Sequence, residues 1–313
     1  MTEHVMCDTI QQKKVSVIIP TFNRATFLKT AIESVLRQNY DNFEIIITDD
    51  NSQDNTQGVV KEFSDKRIRY IRQKKNKGVS AARNTAIKVS EGEYIAFLDD
   101  DDEWLAEKLK KQVEIIEKCP AKVCGVYSNF FIIENSEKKI AKINPRIKDK
   151  RGNLFEQFAL GNPIHTSTVL IRSECLENIG LFDESISYME DRDLWIRLSE
   201  KWDFEFINEP LIMVHTHKKA KLSENLQWQT LGREKMLEKY NYLFNKDRKT
   251  LSKLYLNQGV QYCQLRVMKK GRKNILKGIK IYPFNLKAYF HLLFSILGIN
   301  FYQRLRKTFR SCN

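Results

Sequence analysis

Residues 94–104 read YIAFLDDDDEW. Nothing in YIAFL alternates with polar residues, which suits a strand covered on both faces. Four consecutive carboxylates, Asp99 to Asp102, then follow at the strand's carboxyl end. Like charges packed this closely repel, and burial makes the repulsion worse. Such a run is either a solvated acidic turn ahead of the next helix or a site built around something positive, a divalent metal above all.

The same order of apolar strand and polar end recurs on either side. VSVIIP (15–20) stops at Pro20, and FEIIITDD (43–50) again ends in acid. Between and after them, residues 26–37, 54–63, 79–92 and 104–118 carry apolar residues at helical spacing, and VCGVYSN (123–129) closes the series. Apolar strands alternating with helices predict a mostly parallel sheet flanked by helices. In such sheets ligands bind beyond the carboxyl ends of the strands. Three polar clusters fall there: Pro20-Thr21-Phe22-Asn23-Arg24, Asp49-Asp50-Asn51-Ser52 and the acidic run. They are expected to converge on one rim. Alternate residues of an extended segment face one way, so Asp99 and Asp101 are expected to address one ion.

Further along, 130–165 reads as loops with a strand pair, TSTVLIR (166–172) as a strand and GLFDES (180–185) as a turn. YMEDRDLWIRLSEK (188–201) reads as a helix with Asp193 on its face, and FEFINEPLIMVHTH (204–217) as a strand. From about residue 220 the chain is helical and basic. Trp104, opening an amphipathic stretch, is assigned to the core rather than to sugar stacking.

The 313-residue chain carries a net charge of +14, unevenly placed. Residues 221–313 hold 20 Lys and Arg against four acids, so the remainder is nearly neutral. A basic tail of this kind calls for an anionic partner. No motif for reading nucleic acid accompanies it. Lys269, Lys270, Arg272, Lys273 and Lys277, then Arg304, Arg306, Lys307 and Arg310, flank an aromatic stretch at 282–302. That pattern suits either an anionic membrane surface or an ordinary helical domain with a solvated exterior. Six scattered cysteines without metal-ligand spacing, and no signal peptide, lead us to expect reduced thiols and a cytoplasmic protein, and the first reading of the basic tail would make it peripheral at the inner face of the plasma membrane. No apolar run is long enough to span a bilayer.

Carboxylate oxygens suit Mg²⁺ and Mn²⁺, which often keep phosphate as a co-ligand. A dication bridging a diphosphate neutralises the charge that grows as the diphosphate departs. Neither GxxxxGK[ST] nor GxGxxG occurs, which argues against P-loop and ordinary dinucleotide enzymes.

Taken in order, VSVIIPTFNR, TDDNS, GVSAARNTAI, GEYIAFLDDDD and YMEDRDLWIRL resemble the successive motifs of family-2 glycosyltransferases with the GT-A fold. The resemblance covers residues 14–220. It implies a Rossmann-like mixed sheet flanked by helices, preceded by an extension (1–13) and followed by a basic α-helical region (221–313). It further implies inverting transfer of a sugar from a nucleotide-diphosphate donor, normally a UDP-sugar, to a glycan or lipid-linked acceptor in cell-surface glycoconjugate synthesis, with Mn²⁺ or Mg²⁺.

Position by position, the resemblance places Pro20, Thr21 and Asn23 near the nucleotide, Asp50 on the base and Arg83 near the phosphates. Asp99 and Asp101 match the two acids of the Asp-x-Asp motif, with Asp101 the direct metal ligand. Asp100 takes the middle place and Asp102 the extra acid. Asp191, paired with Glu190, matches the general base. On the residues alone, that pair is equally a set of acids favoured by a helix N-terminus. His217 falls where relatives carry a histidine near the diphosphate, and His215 is assigned a structural role. Two other readings remain open: a sugar-phosphate nucleotidyltransferase, and a non-catalytic binder of anionic surfaces.

Overall fold

Strands form where the sequence places its β-branched apolar runs. The computed structural model describes residues 13–134, 137–140, 149–159, 161–216 and 225–297. The readings made for the N-terminal extension, for His217 and for Arg304, Arg306, Lys307 and Arg310 lie outside the described residues. The described residues fall into two compact units. The first lies within Met1–Ala141, Ile164–Leu181 and Lys201–Thr216, the second within Lys142–Pro163, Phe182–Glu200 and His217–Asn313.

The first unit is built on β1 (Val15–Thr21), β2 (Phe43–Asp49), β3 (Ile68–Arg72), β4 (Tyr94–Phe97), β5 (Asp102–Trp104), β6 (Val123–Glu134), β7 (Glu137–Ile140), β8 (Leu170–Arg172) and β9 (Asp203–His215). They join in one sheet ordered β3-β2-β1-β4-β8-β6-β9-β5, with β7 paired to β6. The β3-β2-β1-β4 half is parallel. β8 runs antiparallel to both β4 and β6, β6 and β9 are parallel, and β5 is antiparallel to β9. The sheet is therefore mixed, with α1 (Ala25–Leu36), α2 (Thr56–Lys61), α3 (Val79–Ile87), α4 (Lys108–Ile116) and α5 (Ser173–Ile179) following its strands.

Every residue of β1 and β2 is buried, as expected for strands covered on both faces. The core runs from Val15, Val17 and Ile19 through Leu28 and Ile32 of α1 to Trp104, Leu109 and Val113. Pairing of β1 with β4 ends at Ile18 and Phe97. The N–H that Pro20 lacks therefore falls where β4 has already left. Beyond that level the ends of β1 and β4 are free to carry ligand-binding loops. Trp104 is buried, as expected, with Lys108 Nζ 3.8 Å from its ring centroid. The stretch 104–118 is not all helix, because Asp102–Trp104 extends along β9 before α4 begins.

The second unit holds α6 (Glu190–Ser199), α7 (Leu226–Lys239), α8 (Asn241–Phe244), α9 (Arg248–Gln264), α10 (Met268–Ile281) and α11 (Leu286–Ile296). Asn225 and Asp247 cap α7 and α9, each accepting from two backbone N–H groups of the first turn. Among the described residues no helix is long and apolar enough to cross a membrane.

Gly92 lets the chain entering β4 lie against β1. A Cβ there would stand 2.5 Å from the Ser16 N and 2.7 Å from its Oγ. We expect Gly92→Ala to destabilise the protein by about 1–3 kcal/mol, read as a lower urea midpoint with an unchanged slope.

Candidate active site

The four aspartates do not continue β4 as an extended segment. Asp102 N–H donates to the Asp99 carbonyl at 3.0 Å and closes a turn with Asp100 and Asp101 at its tip. Alternation therefore fails here, and adjacent residues share a partner instead. Arg24 Nη1 reaches Asp100 Oδ1 at 3.0 Å and Asp101 Oδ2 at 2.8 Å. Asp99 has a different partner, Arg83 Nη2 at 2.8 Å. Thr21 Oγ1 donates to Asp100 Oδ2 at 2.7 Å, joining the ends of β1 and β4.

The environment separates the three acids. Burial would raise Asp99, but Arg83, His165 and Arg24 outweigh it and hold its carboxyl below the usual range. Burial pushes Asp100 up to about 7, against the pull of Arg24 and Thr21, and Asp101 adds to the rise. Side-chain exposure is 30% for Asp99 and 13% for Asp101 but 6% for Asp100. Asp99 and Asp101 are thus the acids open to a ligand, while Asp100 is structural to the turn.

The first cluster meets this turn and the second meets the first, as expected of one rim. Asn23 and Asn51 both take positive φ, 53° and 70°, so the chain reverses sharply after β1 and β2. Asn23 N–H donates to Ser52 Oγ at 2.8 Å, and Asn23 Oδ1 accepts from Gln53 N–H at 2.7 Å. Asp54 receives the Ala25 N–H at 2.9 Å, at the start of α1. Pro20 and Thr21 are buried beneath the rim.

Asp50 is buried and accepts from Lys77 N–H at 2.8 Å, Gly78 N–H at 2.7 Å and Gln73 Nε2 at 3.1 Å. Burial raises its pKa, while the Lys77 and Gly78 amides pull it down. A carboxylate offers about four lone-pair positions, so Asp50 fixes the entry to α3 and keeps one acceptor site in hand. Gly78 precedes α3 at a φ of 89°.

Residues the sequence did not single out brace the turn from behind. Ser167 Oγ donates to Asp102 Oδ2 at 2.6 Å and accepts from Asp99 N–H at 3.1 Å. His165 Nδ1 stands 3.9 Å from the same Asp102 oxygen. Asp102 therefore anchors the turn and does not face the rim. Arg24 carried a signal, next to Asn23 in TFNR; Ser167, 65 residues from Asp102, carried none. His215 is structural as expected, its Nε2 lying 2.7 Å from Glu103 Oε1.

Glu190 and Asp191 open α6, in the second unit. The preceding Met189 has a positive φ of 68°. Asn162 Nδ2 donates to Asp191 Oδ2 at 2.9 Å, and Arg192 N–H donates to Asp191 Oδ1 at 2.7 Å. Asp193 is not a solvated face residue: it is fully buried and binds Lys239 Nζ and Tyr240 Oη, each at 2.7 Å, tying α6 to α7. Gly232 of α7 sits so close that a Cβ would meet the Tyr188 N at 2.6 Å. The loop before Glu190 is thereby seated on α7.

Among the described residues no three His, Cys, Asp or Glu side chains form a metal-holding group. A dication held by one or two carboxylates and otherwise by substrate phosphate does not need one. Three carboxylates facing two guanidiniums leave a turn of hard oxygen donors, which fits such an ion. Asp101 and Asp99 are the residues that would hold it.

Residues 16–177 match the sequence model described as Glycosyl transferase family 2. The UDP-Glc:alpha-D-GlcNAc-diphosphoundecaprenol beta-1,3-glucosyltransferase WfgD of Escherichia coli is 33% identical over 240 residues, covering 74% of this chain and 91% of that protein. Residues 1-349 of S. aureus TarS, solved with UDP-GlcNAc, superpose with a TM-score of 0.62 at 17% identity, over 96% of this chain and 92% of theirs. The mannosyltransferase PcManGT of Pyrobaculum calidifontis, solved with GDP-Man and Mn²⁺, gives 0.56 at 16% identity over 87% and 76%. The fold is GT-A, and the chain belongs to glycosyltransferase family 2. It is a glycosyltransferase.

Two outcomes follow from these contacts. Ser167→Ala removes one donor from buried Asp102 and one acceptor from Asp99, so unfolding free energy should fall by about 1–3 kcal/mol. Asp183 accepts from Ser185 and from Lys239, and these contacts overcome burial to hold its pKa down at about 2. Its folded pKa lies below the unfolded value of about 4, so its stabilisation is present above that pH and lost as pH falls through about 2. Asp183→Asn should cost about 1 kcal/mol at neutral pH, allowing for its partial exposure. The gap to wild type should close in acid-unfolding curves near pH 2.

Proposed function

We propose that this chain transfers a sugar, with inversion, from a UDP-sugar to a hydroxyl of a lipid-linked glycan acceptor in cell-envelope polysaccharide assembly, with Mn²⁺ or Mg²⁺ bound. One observation carries the reading. The polar ends of β1, β2 and β4 meet in a single rim, at an aspartate turn that sets three carboxylates against Arg24 and Arg83 and leaves Asp99 and Asp101 partly exposed. The name of the Escherichia coli relative, with its UDP-linked donor and diphosphoundecaprenol acceptor, supports the donor and acceptor classes.

In this reading Asp50 takes the base on its remaining acceptor site, and Thr21 and Asn23 shape the loop around the nucleotide. Arg83 and Arg24 lie among the phosphates, and Asp100 keeps the turn closed. Asp101 and Asp99 would hold a dication, which would supply charge neutralisation for the departing diphosphate. Asp191 receives the proton of the attacking acceptor hydroxyl as the new bond forms on the face opposite the leaving group. Glu190 accompanies it, and Asn162 with the Arg192 amide orients the Asp191 carboxylate.

Nucleoside-diphosphate release should appear with UDP-sugars and a diphospholipid-GlcNAc acceptor, vanish in chelator and return with Mn²⁺. Release from GDP- or CMP-sugars alone, or full rate in chelator, would contradict it. Asp191→Asn should lower kcat by about 10²–10⁴-fold while leaving UDP affinity unchanged. Loss of affinity in step with kcat would make Asp191 a binding residue instead.

A further inference from the structure

Helix α11 turns its apolar face outward. The residues it buries are Ala288 and Ser295, seven apart on one side. Leu286, Tyr289, Phe290, Leu293 and Ile296 follow the three-and-four spacing of a single helix face, and they are 44–70% exposed. Phe284, just ahead of the helix, is 78% exposed. Arg272 of α10 donates to the Ser295 carbonyl at 2.7 Å, so the polar contact sits on the inward side. A contiguous apolar stripe on a protein surface marks an interaction site.

Charge decides which partner it fits. The exposed Lys269, Lys273, Lys277 and Lys280 of α10 and Lys287 of α11 lie in a stretch that has no Asp or Glu after Asp247, while Lys270 beside them pairs with Glu234 of α7 at 3.7 Å. A second copy docked across a twofold axis would set this cationic surface against itself. Nucleic acid would meet the lysines but leave the aliphatic stripe in water. An anionic phospholipid surface answers both features at once, the acyl boundary taking Leu and Phe and the headgroups taking lysine.

We propose that α11, with the lysines of α10, is a docking face for an anionic bilayer, the helix lying in the interface plane. The proposal stands apart from the assignment of donor, acceptor and base, since it is tested without turnover. The full chain should co-sediment with vesicles of phosphatidylcholine plus phosphatidylglycerol, not with phosphatidylcholine alone, and should be released by salt. Phe290→Ser with Leu293→Ser should weaken binding more than tenfold, with an unchanged circular dichroism spectrum and unfolding midpoint. Lys273→Gln and Lys280→Gln, which leave the stripe intact, should each weaken it about fivefold. Equal binding to both vesicle types, or none to either, would overturn the proposal. So would a Phe290/Leu293 variant that binds as well as wild type, or one that converts a dimer to a monomer in light scattering and so assigns the stripe to a second copy.

Discussion

Charge balance at the aspartate turn is the constraint on which the first unit's rim depends. Two like charges about 4 Å apart cost roughly 4 kcal/mol at the effective dielectric of a protein surface. Three adjacent carboxylates at a strand end cannot persist without compensation. Arg24 from the loop after β1 and Arg83 from α3 supply it, at 2.8–3.0 Å. In doing so they fasten three loops to one another, because Thr21 and Arg24 bring in β1 and Asn23 with Ser52 brings in β2. The compensation is deliberately incomplete in its arithmetic, three negative groups against two positive, and burial of Asp100 absorbs part of the excess. What is left is a turn with little net charge, whose partly exposed acids are Asp99 and Asp101.

The catalytic proposal and the membrane proposal draw on different chemistry. Asp191 sits at the start of α6, where a helix N-terminus favours the charged form of an acid, and its orientation comes from Asn162 and the Arg192 amide. Buried Asp193, two residues on, works through Lys239 and Tyr240 to hold the helix. In the catalytic proposal, two acids of one helical turn thus divide between a reactive role and a fastening one. The α11 stripe is a surface property, set by which face of one helix is buried.

Much of this was legible in the sequence because it rests on local pattern. The strand runs, the helices between them and the polar residues at strand ends follow periodicity and position, and the family motifs name the same residues. What was not legible depends on distant partners. Nothing near Asp102 signals that Ser167 will anchor it, and nothing near Asp193 signals that α7 will bury it. The short β5 was hidden because Asp102 and Glu103 have poor strand propensity and extend only by pairing with β9. The place of the turn at Asp100–Asp101 was hidden for the complementary reason: four identical residues favour a turn equally at each position, and the backbone bond from Asp102 to Asp99 decides where it falls.

At the centre of the account is the proposal that the aspartate turn accepts a dication together with a uridine diphosphate. Calorimetric titration of UDP into the full chain, with and without Mn²⁺, reads this directly when wild type is set beside Asp101→Ala. The account predicts that Mn²⁺ tightens UDP binding to wild type at least tenfold and leaves the variant's weaker affinity unmoved. UDP affinity that is indifferent to Mn²⁺ in wild type, or equally enhanced in the variant, would contradict it.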